Sequence, residues 1–178
     1  EKYGIIDKSF IEEIKSSVGL LNSEEENIRK TAKNIAAKLV GKIAVIYSES
    51  RFEGVCVRFR QQLNENSKML CWHHSIPEMN HNELVGWKEV NHQLIPVFFT
   101  AKDDYYRNLE RMKYSQKVME NYTEDMVVIH AKGSNLIAQN LYFIHIGDWI
   151  SYYIAELKGI DAVEVNVITG LKEMLSDI

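Results

Sequence analysis

Proline, cysteine and long apolar runs are all scarce in this chain, and each scarcity removes a class of protein. There are two prolines, and no Pro/Gly/Ser-rich linker or low-complexity tract interrupts the 178 residues, so no internal domain boundary is expected. The two cysteines, Cys56 in GVCV and Cys71 in MLCW, lack metal-ligand spacing and read as buried small hydrophobes rather than a disulfide. No segment approaches the ~18 apolar residues of a membrane span, and the start of the chain has no signal-peptide pattern. That combination predicts a cytoplasmic protein without a membrane partner. Lys and Arg are scattered and the formal charge is −4, which argues against a nucleic-acid or anionic-membrane surface. Phosphate-cradling GxxxxGK[ST] and GxGxxG loops and the GxSxG elbow are missing. No HxxxH or HExxH pair exists, and His73 and His74, adjacent on an extended segment, point to opposite faces. Neither a cofactor nor a metal is expected.

What is present is a regular alternation. A hydrophobic content of 46% over 178 residues suits one domain with a buried core. Residues 7–22 place Phe10, Ile11, Ile14, Val18 and Leu21 at helical spacing, and Asn22 or Ser23 is expected to cap a second helix ending before Gly41. These two form a predicted helical hairpin. Four short apolar runs follow, AVIY, MLCW, PVFF and MVVI, each succeeded by a helical pattern: GVCVRFRQQLNENSK, EMNHNELVGW, DDYYRNLERMKYSQKVMENY and the long apolar NLIAQNLYFIHIGDWISYYIAELKG. A last amphipathic run, VEVNVITGLKEMLSD, closes the chain. Continuous apolar strands separated by helices imply an α/β fold, a three-layer αβα sandwich with a mainly parallel sheet. Such sheets receive ligands beyond the carboxyl ends of their strands, here YSES, HHSIPE, FTAKDD and HAKGSN.

The richest chemistry lies in NENSKMLCWHHSIPEMNHNE, residues 64–83, with its three histidines and four asparagines. General acid/base work is the chemistry that fits, since it requires a carboxylate or imidazole within hydrogen-bond reach of a substrate proton. Glu65, at the end of the helix after the first strand, is the carboxylate placed to serve as such a base. His81 follows the second strand, and neighbouring βα units are expected to bring the two positions close across one sheet edge. The plain alternative stays open at this level: Glu65 as a solvated helix-end acid near Arg58 and Lys68, and His81 as a surface residue between capping asparagines.

Residues 58–87, RFRQQLNENSKMLCWHHSIPEMNHNELVGW, closely resemble the C-terminal half of the bifunctional phosphoglucose/phosphomannose isomerases, members of the sugar isomerase (SIS) domain superfamily. The resemblance extends to VEVNVITGLK, and its most specific part is NEN followed by NHNE, with His81 sixteen positions after Glu65. It implies a single SIS domain over 1–178 and isomerisation of glucose 6-phosphate or mannose 6-phosphate to fructose 6-phosphate through a cis-enediol. It further implies Glu65 as the base, His81 as the ring-opening group reaching the partner subunit's site, and Lys172 as an aid to ring opening. A sugar phosphate substrate and a homodimer are therefore expected. No GGS-type phosphate loop occurs here, and the chain starts at Glu1 without methionine. The chain is accordingly expected to be the second half of a two-domain protein, with an N-terminal SIS domain, in the same or a separate chain, holding the phosphate. A non-catalytic SIS domain that binds a sugar phosphate for sensing or scaffolding is the alternative.

Other residues carry blander expectations. Arg58 could face the developing enediolate but reads first as a salt-bridge partner. Trp72, Trp149, Tyr142, Tyr152 and Tyr153 are expected in the core or a dimer interface, and His130 and His145 as satisfied core histidines. Trp87 either rims the site or covers the short helix.

Overall fold

A computed structural model describes Tyr3, residues 7–176 and Ile178. Four strands, β1 (Ile43–Glu49), β2 (Trp72–Ile76), β3 (Leu94–Thr100) and β4 (Val127–His130), form one parallel sheet in the order β2-β1-β3-β4. Among the described residues six α-helices accompany it: α1 (Ser9–Leu39), α2 (Glu53–Glu65), α3 (Glu83–Gly86), α4 (Tyr106–Met119), α5 (Leu136–Lys158) and α6 (Asn166–Ser176).

Alternation along the strands builds two cores. Ala44, Ile46, Ile95, Val97, Phe99, Val127 and Ile129 face α1, α2 and α5, where they meet Ile28, Phe59, Leu63, Phe143 and Ile150. Val45, Tyr47 and Phe98 point the other way, onto Met79, Trp87, Met112 and Met119 from the β2–β3 connection and α4. The three-layer αβα sandwich is thus the observed architecture. Strand β1 sits centrally because the chain steps to one side of it for β2 and then crosses to the other for β3.

The expected helical hairpin is a single 31-residue helix. Ile14, Leu21, Ile28 and Ile35 recur every seven residues, so the two apolar runs are in phase and one stripe serves both. Ser23 does not cap; its hydroxyl donates back to Leu20 O at 2.9 Å. Strand β2 also begins later than MLCW suggests, at Trp72, and pairs only with β1. It is an edge strand, and Met69 and Cys71 just before it are partly buried against the first core. Both cysteines are free, as expected.

The histidine expectations need correction. His130 is exposed and shares a 2.7 Å hydrogen bond with Thr100 Oγ1, because β4 is an edge strand with its alternate residues uncovered. His145 is half-buried and pairs with Glu25 on α1 at 2.6 Å. Trp87, by contrast, is buried under the short helix, and its indole N–H donates to the Tyr47 hydroxyl at 3.0 Å. Tyr142 and Tyr153 are buried, whereas Trp72 and Tyr152 keep substantial exposed surface.

Candidate active site

Glu65 is the last residue of α2, whose buried stripe of Val55, Cys56, Phe59 and Leu63 locks the helix onto the first core. The terminus is then riveted to α5. Ser67, fully buried, donates to Ser151 O at 2.8 Å, and Asn66 donates to Ser151 Oγ at 3.0 Å. From α5, Lys158 donates to Ser67 O at 2.6 Å. Lys68 takes a left-handed conformation with φ of 51°, and its ammonium donates to Glu65 O at 2.6 Å.

The Glu65 side chain opens into a cavity of about 220 Å³ lined by Asn64, Lys68, Glu164, Val165, Val167 and Ile168. The last two belong to α6, which lies one short connection beyond α5. Lys172 is one helical turn after Ile168 and therefore on the same side of α6. No described residue of α6 is buried, and Val167, Ile168, Leu171, Met174 and Leu175 form an exposed apolar stripe.

His81 lies elsewhere. It ends a 3-10 turn, Glu78–His81, just past β2, and is exposed. That turn is pinned to the opposite face of the sheet by Met79 in the second core and by Asn80, which donates to Ser115 Oγ on α4 at 2.8 Å. Asn82 caps α3 by accepting the Glu83 N–H. Within one chain, then, Glu65 belongs to the α1/α2/α5 layer and His81 to the α4 layer, and His81 does not line the Glu65 cavity. The expected closeness across a sheet edge fails because the β2–β3 connection passes over the other face.

Two other ionisable groups of the 64–83 stretch, His74 and Glu83, are committed locally, whereas His73 Nδ1 is buried without a hydrogen-bond partner. His74 Nδ1 meets Glu83 Oε2 at 3.1 Å, and Glu83 also accepts from Trp72 Nε1 and from the Tyr47 hydroxyl. Burial, then the adjacent Glu83 carboxylate, pushes the Tyr47 phenol well above its ordinary range. Arg58 forms its salt bridge with Asp148 at 2.9 Å. Among the described residues, no group of three or more His, Cys, Asp or Glu is arranged to hold a metal ion.

A second cluster occupies the switch point between β1 and β3, where open α/β sheets usually receive ligands. Arg51 contacts Glu49 at 3.1 Å, Asp103 at 3.0 Å and Asp104 at 2.8 Å. Asn108 donates to Glu49 at 2.8 Å, and Gln139 to Asp103 at 2.9 Å. Burial pushes the Asp104 carboxyl up to about 6, while the Arg51 guanidinium holds Asp103 down at about 2. The protein's own groups thus fill this crevice. Its acids come from strand ends visible in the sequence, but their pairing with Arg51 has no sequence signature.

Residues 28–175 match the family described as bacterial phospho-glucose isomerase C-terminal SIS domain. The chain is 31% identical over 172 residues to a bifunctional phosphoglucose/phosphomannose isomerase of Aquifex aeolicus (strain VF5), covering 96% of this chain and 53% of that protein. A protein of the same name from Thermoplasma volcanium is 30% identical over 158 residues, covering 88% and 51%. The fold is similar to a glucose-6-phosphate isomerase-like protein from Thermus thermophilus, with a TM-score of 0.64 at 21% identity over 80% of this chain and 46% of that one. The chain therefore spans about half the length of the curated relatives it matches. Among the described residues, no helix is long and apolar enough to cross a membrane.

Proposed function

The chain belongs to the bacterial phospho-glucose isomerase C-terminal SIS domain family, and from that premise we propose that it supplies the proton-transfer half of a sugar-phosphate aldose–ketose isomerase. Glucose 6-phosphate and mannose 6-phosphate are the aldoses, and fructose 6-phosphate is the ketose. The observation that carries this reading is the Glu65 cavity, in which an exposed carboxylate on a riveted helix end opens onto α6.

In this mechanism Glu65 takes the C2 proton, the C2–H electron pair becomes the C1–C2 double bond and the carbonyl pair moves onto the C1 oxygen, giving a cis-enediolate. The C2 hydroxyl proton passes to the C1 oxygen, the C2 carbonyl forms as the double-bond pair moves to C1, and Glu65 returns its proton to C1. His81 moves protons during ring opening at the site of a partner subunit, which its exposure permits, and Lys172 assists from α6. The single SIS domain works beside an N-terminal SIS domain that holds the substrate phosphate, and the protein acts as a cytoplasmic homodimer.

The test is fructose 6-phosphate formation from both aldose phosphates by the full-length polypeptide, beside Glu65→Gln. Loss of a positioned base lowers kcat by about 10³-fold, and the variant is expected to show that loss. Wild-type protein that binds these sugar phosphates without turnover would instead support the sensing alternative.

A further inference from the structure

Resting on the reading of Glu65 as the base, we propose that Lys68 is a catalytic cation of the same site, its ammonium stabilising the negative charge that develops on the substrate's C1 oxygen. Among the described residues, Lys68 is the one non-glycine residue with positive φ. For an L-residue that conformation costs roughly 1–2 kcal/mol, which glycine avoids. Helices usually end in this conformation on glycine or asparagine, so a lysine here carries a strain that its side chain must justify. The helix end has other fastenings besides the Lys68 bond to Glu65 O, because Ser67, Asn66 and Lys158 tie the terminus to α5. A strained residue held in place by its surroundings points to function.

The side chain has a suitable place. Lys68 is the one cation among the residues lining the Glu65 cavity. Of the nearby cations, Arg58 is engaged with Asp148 and Lys158 with Ser67 O, and Lys172, on α6 and outside the lining, is the one already assigned to ring opening. One Lys68 N–H points to Glu65 O, which leaves two of its three donors for another acceptor. An ammonium tethered to the backbone of the base sits near the reacting carbons rather than at a distant phosphate. When Glu65 takes the C2 proton, the C2–H electrons form the C1–C2 double bond and the carbonyl electrons move onto the C1 oxygen. Lys68 donates a hydrogen bond to that oxygen and keeps its own proton. Charge stabilisation of this kind acts in the transition state and appears in kcat.

The experiment uses the full-length polypeptide with Lys68→Gly, Lys68→Asn, Lys68→Arg and Glu65→Gln. Glycine and asparagine both tolerate the left-handed conformation, so these variants should keep the thermal midpoint. Their kcat should fall by about 10²–10³-fold with KM little changed, and arginine should recover part of the loss. An uncharged variant with kcat near wild type overturns the proposal, as does a loss confined to KM, which would be a ground-state contact. Loss of folding in both uncharged variants assigns Lys68 to the helix terminus and also overturns it. Glu65→Gln separates the two readings. If it is inactive while Lys68→Gly is active, only the Lys68 assignment fails; if it is fully active, the base assignment fails as well.

Discussion

Arg51 and Asp104 meet at 2.8 Å across the carboxyl ends of β1 and β3, with the Asp104 side chain fully withdrawn from solvent. Each residue fixes the other's strand end, because Arg51 also binds Glu49 and Asp103 and Asp104 also accepts the Ala101 N–H at 2.7 Å.

Removing the cation leaves three carboxylates facing one another. Arg51→Ala should therefore cost about 3 kcal/mol or more in urea unfolding, the range for breaking a buried pair on one side. A change under ~1 kcal/mol would mean that the cluster is more solvated than its geometry implies.

The same cluster sets a pH dependence. Asp104 has a folded value near 6 against the ordinary 3.8, so the folded state binds its proton more tightly than the unfolded state. Its contribution to stability is complete below the ordinary value and is lost as pH rises through about 6. Asp103, held at about 2, acts oppositely, and its contribution is lost as pH falls from 3.8 towards 2. Thermal midpoints followed from pH ~4 to ~6.5 should show a decline in wild type that Asp104→Asn lacks.

Gly19 tests the continuity of α1. It lies on the exposed side in mid-helix, and a Cβ there would meet nothing within 4 Å. Gly19→Ala should stabilise the protein by about 0.5–1 kcal/mol. A turn at this point would reverse the sign, so the thermal midpoint decides between one helix and two.

Tyr47 holds together the polar group beneath the His81 segment. Tyr47→Phe deletes the hydroxyl that accepts from Trp87 Nε1 and donates to Glu83, leaving a buried indole N–H unpaired. The expected cost is about 1–3 kcal/mol, accompanied by a change in tryptophan emission, since Trp87 is 5% exposed.

Placement of His81 on the layer opposite Glu65 predicts complementation between subunits. Glu65→Gln and His81→Ala variants of the full-length protein, each inactive alone, should recover about a quarter of wild-type activity when unfolded and reassembled together, because half the dimers are mixed and each carries one intact site. No recovery would place both residues in one chain's site.

The apolar runs and their spacing carried the layer architecture, because continuous strands between amphipathic helices admit few other arrangements. They also marked the Glu65 helix end and the Arg58 salt bridge as candidates. The single α1 was legible too, in the seven-residue recurrence from Ile14 to Ile35, but the cap-like Asn22-Ser23 outweighed it. What could not be read depends on contacts between distant segments. Arg51 lies 53 positions from Asp104, Tyr47 lies 36 from Glu83, and His145 lies 120 from Glu25. The left-handed turn at Lys68 was hidden for a different reason, since lysine is a poor marker of that conformation.

The principal partner of α1 is α5, and 97 positions separate the end of one at Leu39 from the start of the other at Leu136. A ribosome adding about 5–20 residues per second leaves roughly 5–20 s between the two. Through that interval the newborn α1 carries Ile28, Ala32, Ile35 and Leu39, all destined for the interior, without the helix that is its principal cover. The strands emerging meanwhile cannot finish their own layer without it. Synthesis, rather than the finished molecule, is the stage at which this architecture is most exposed to aggregation, and within these residues α1 is the element that a chaperone sheltering amphipathic helices would engage.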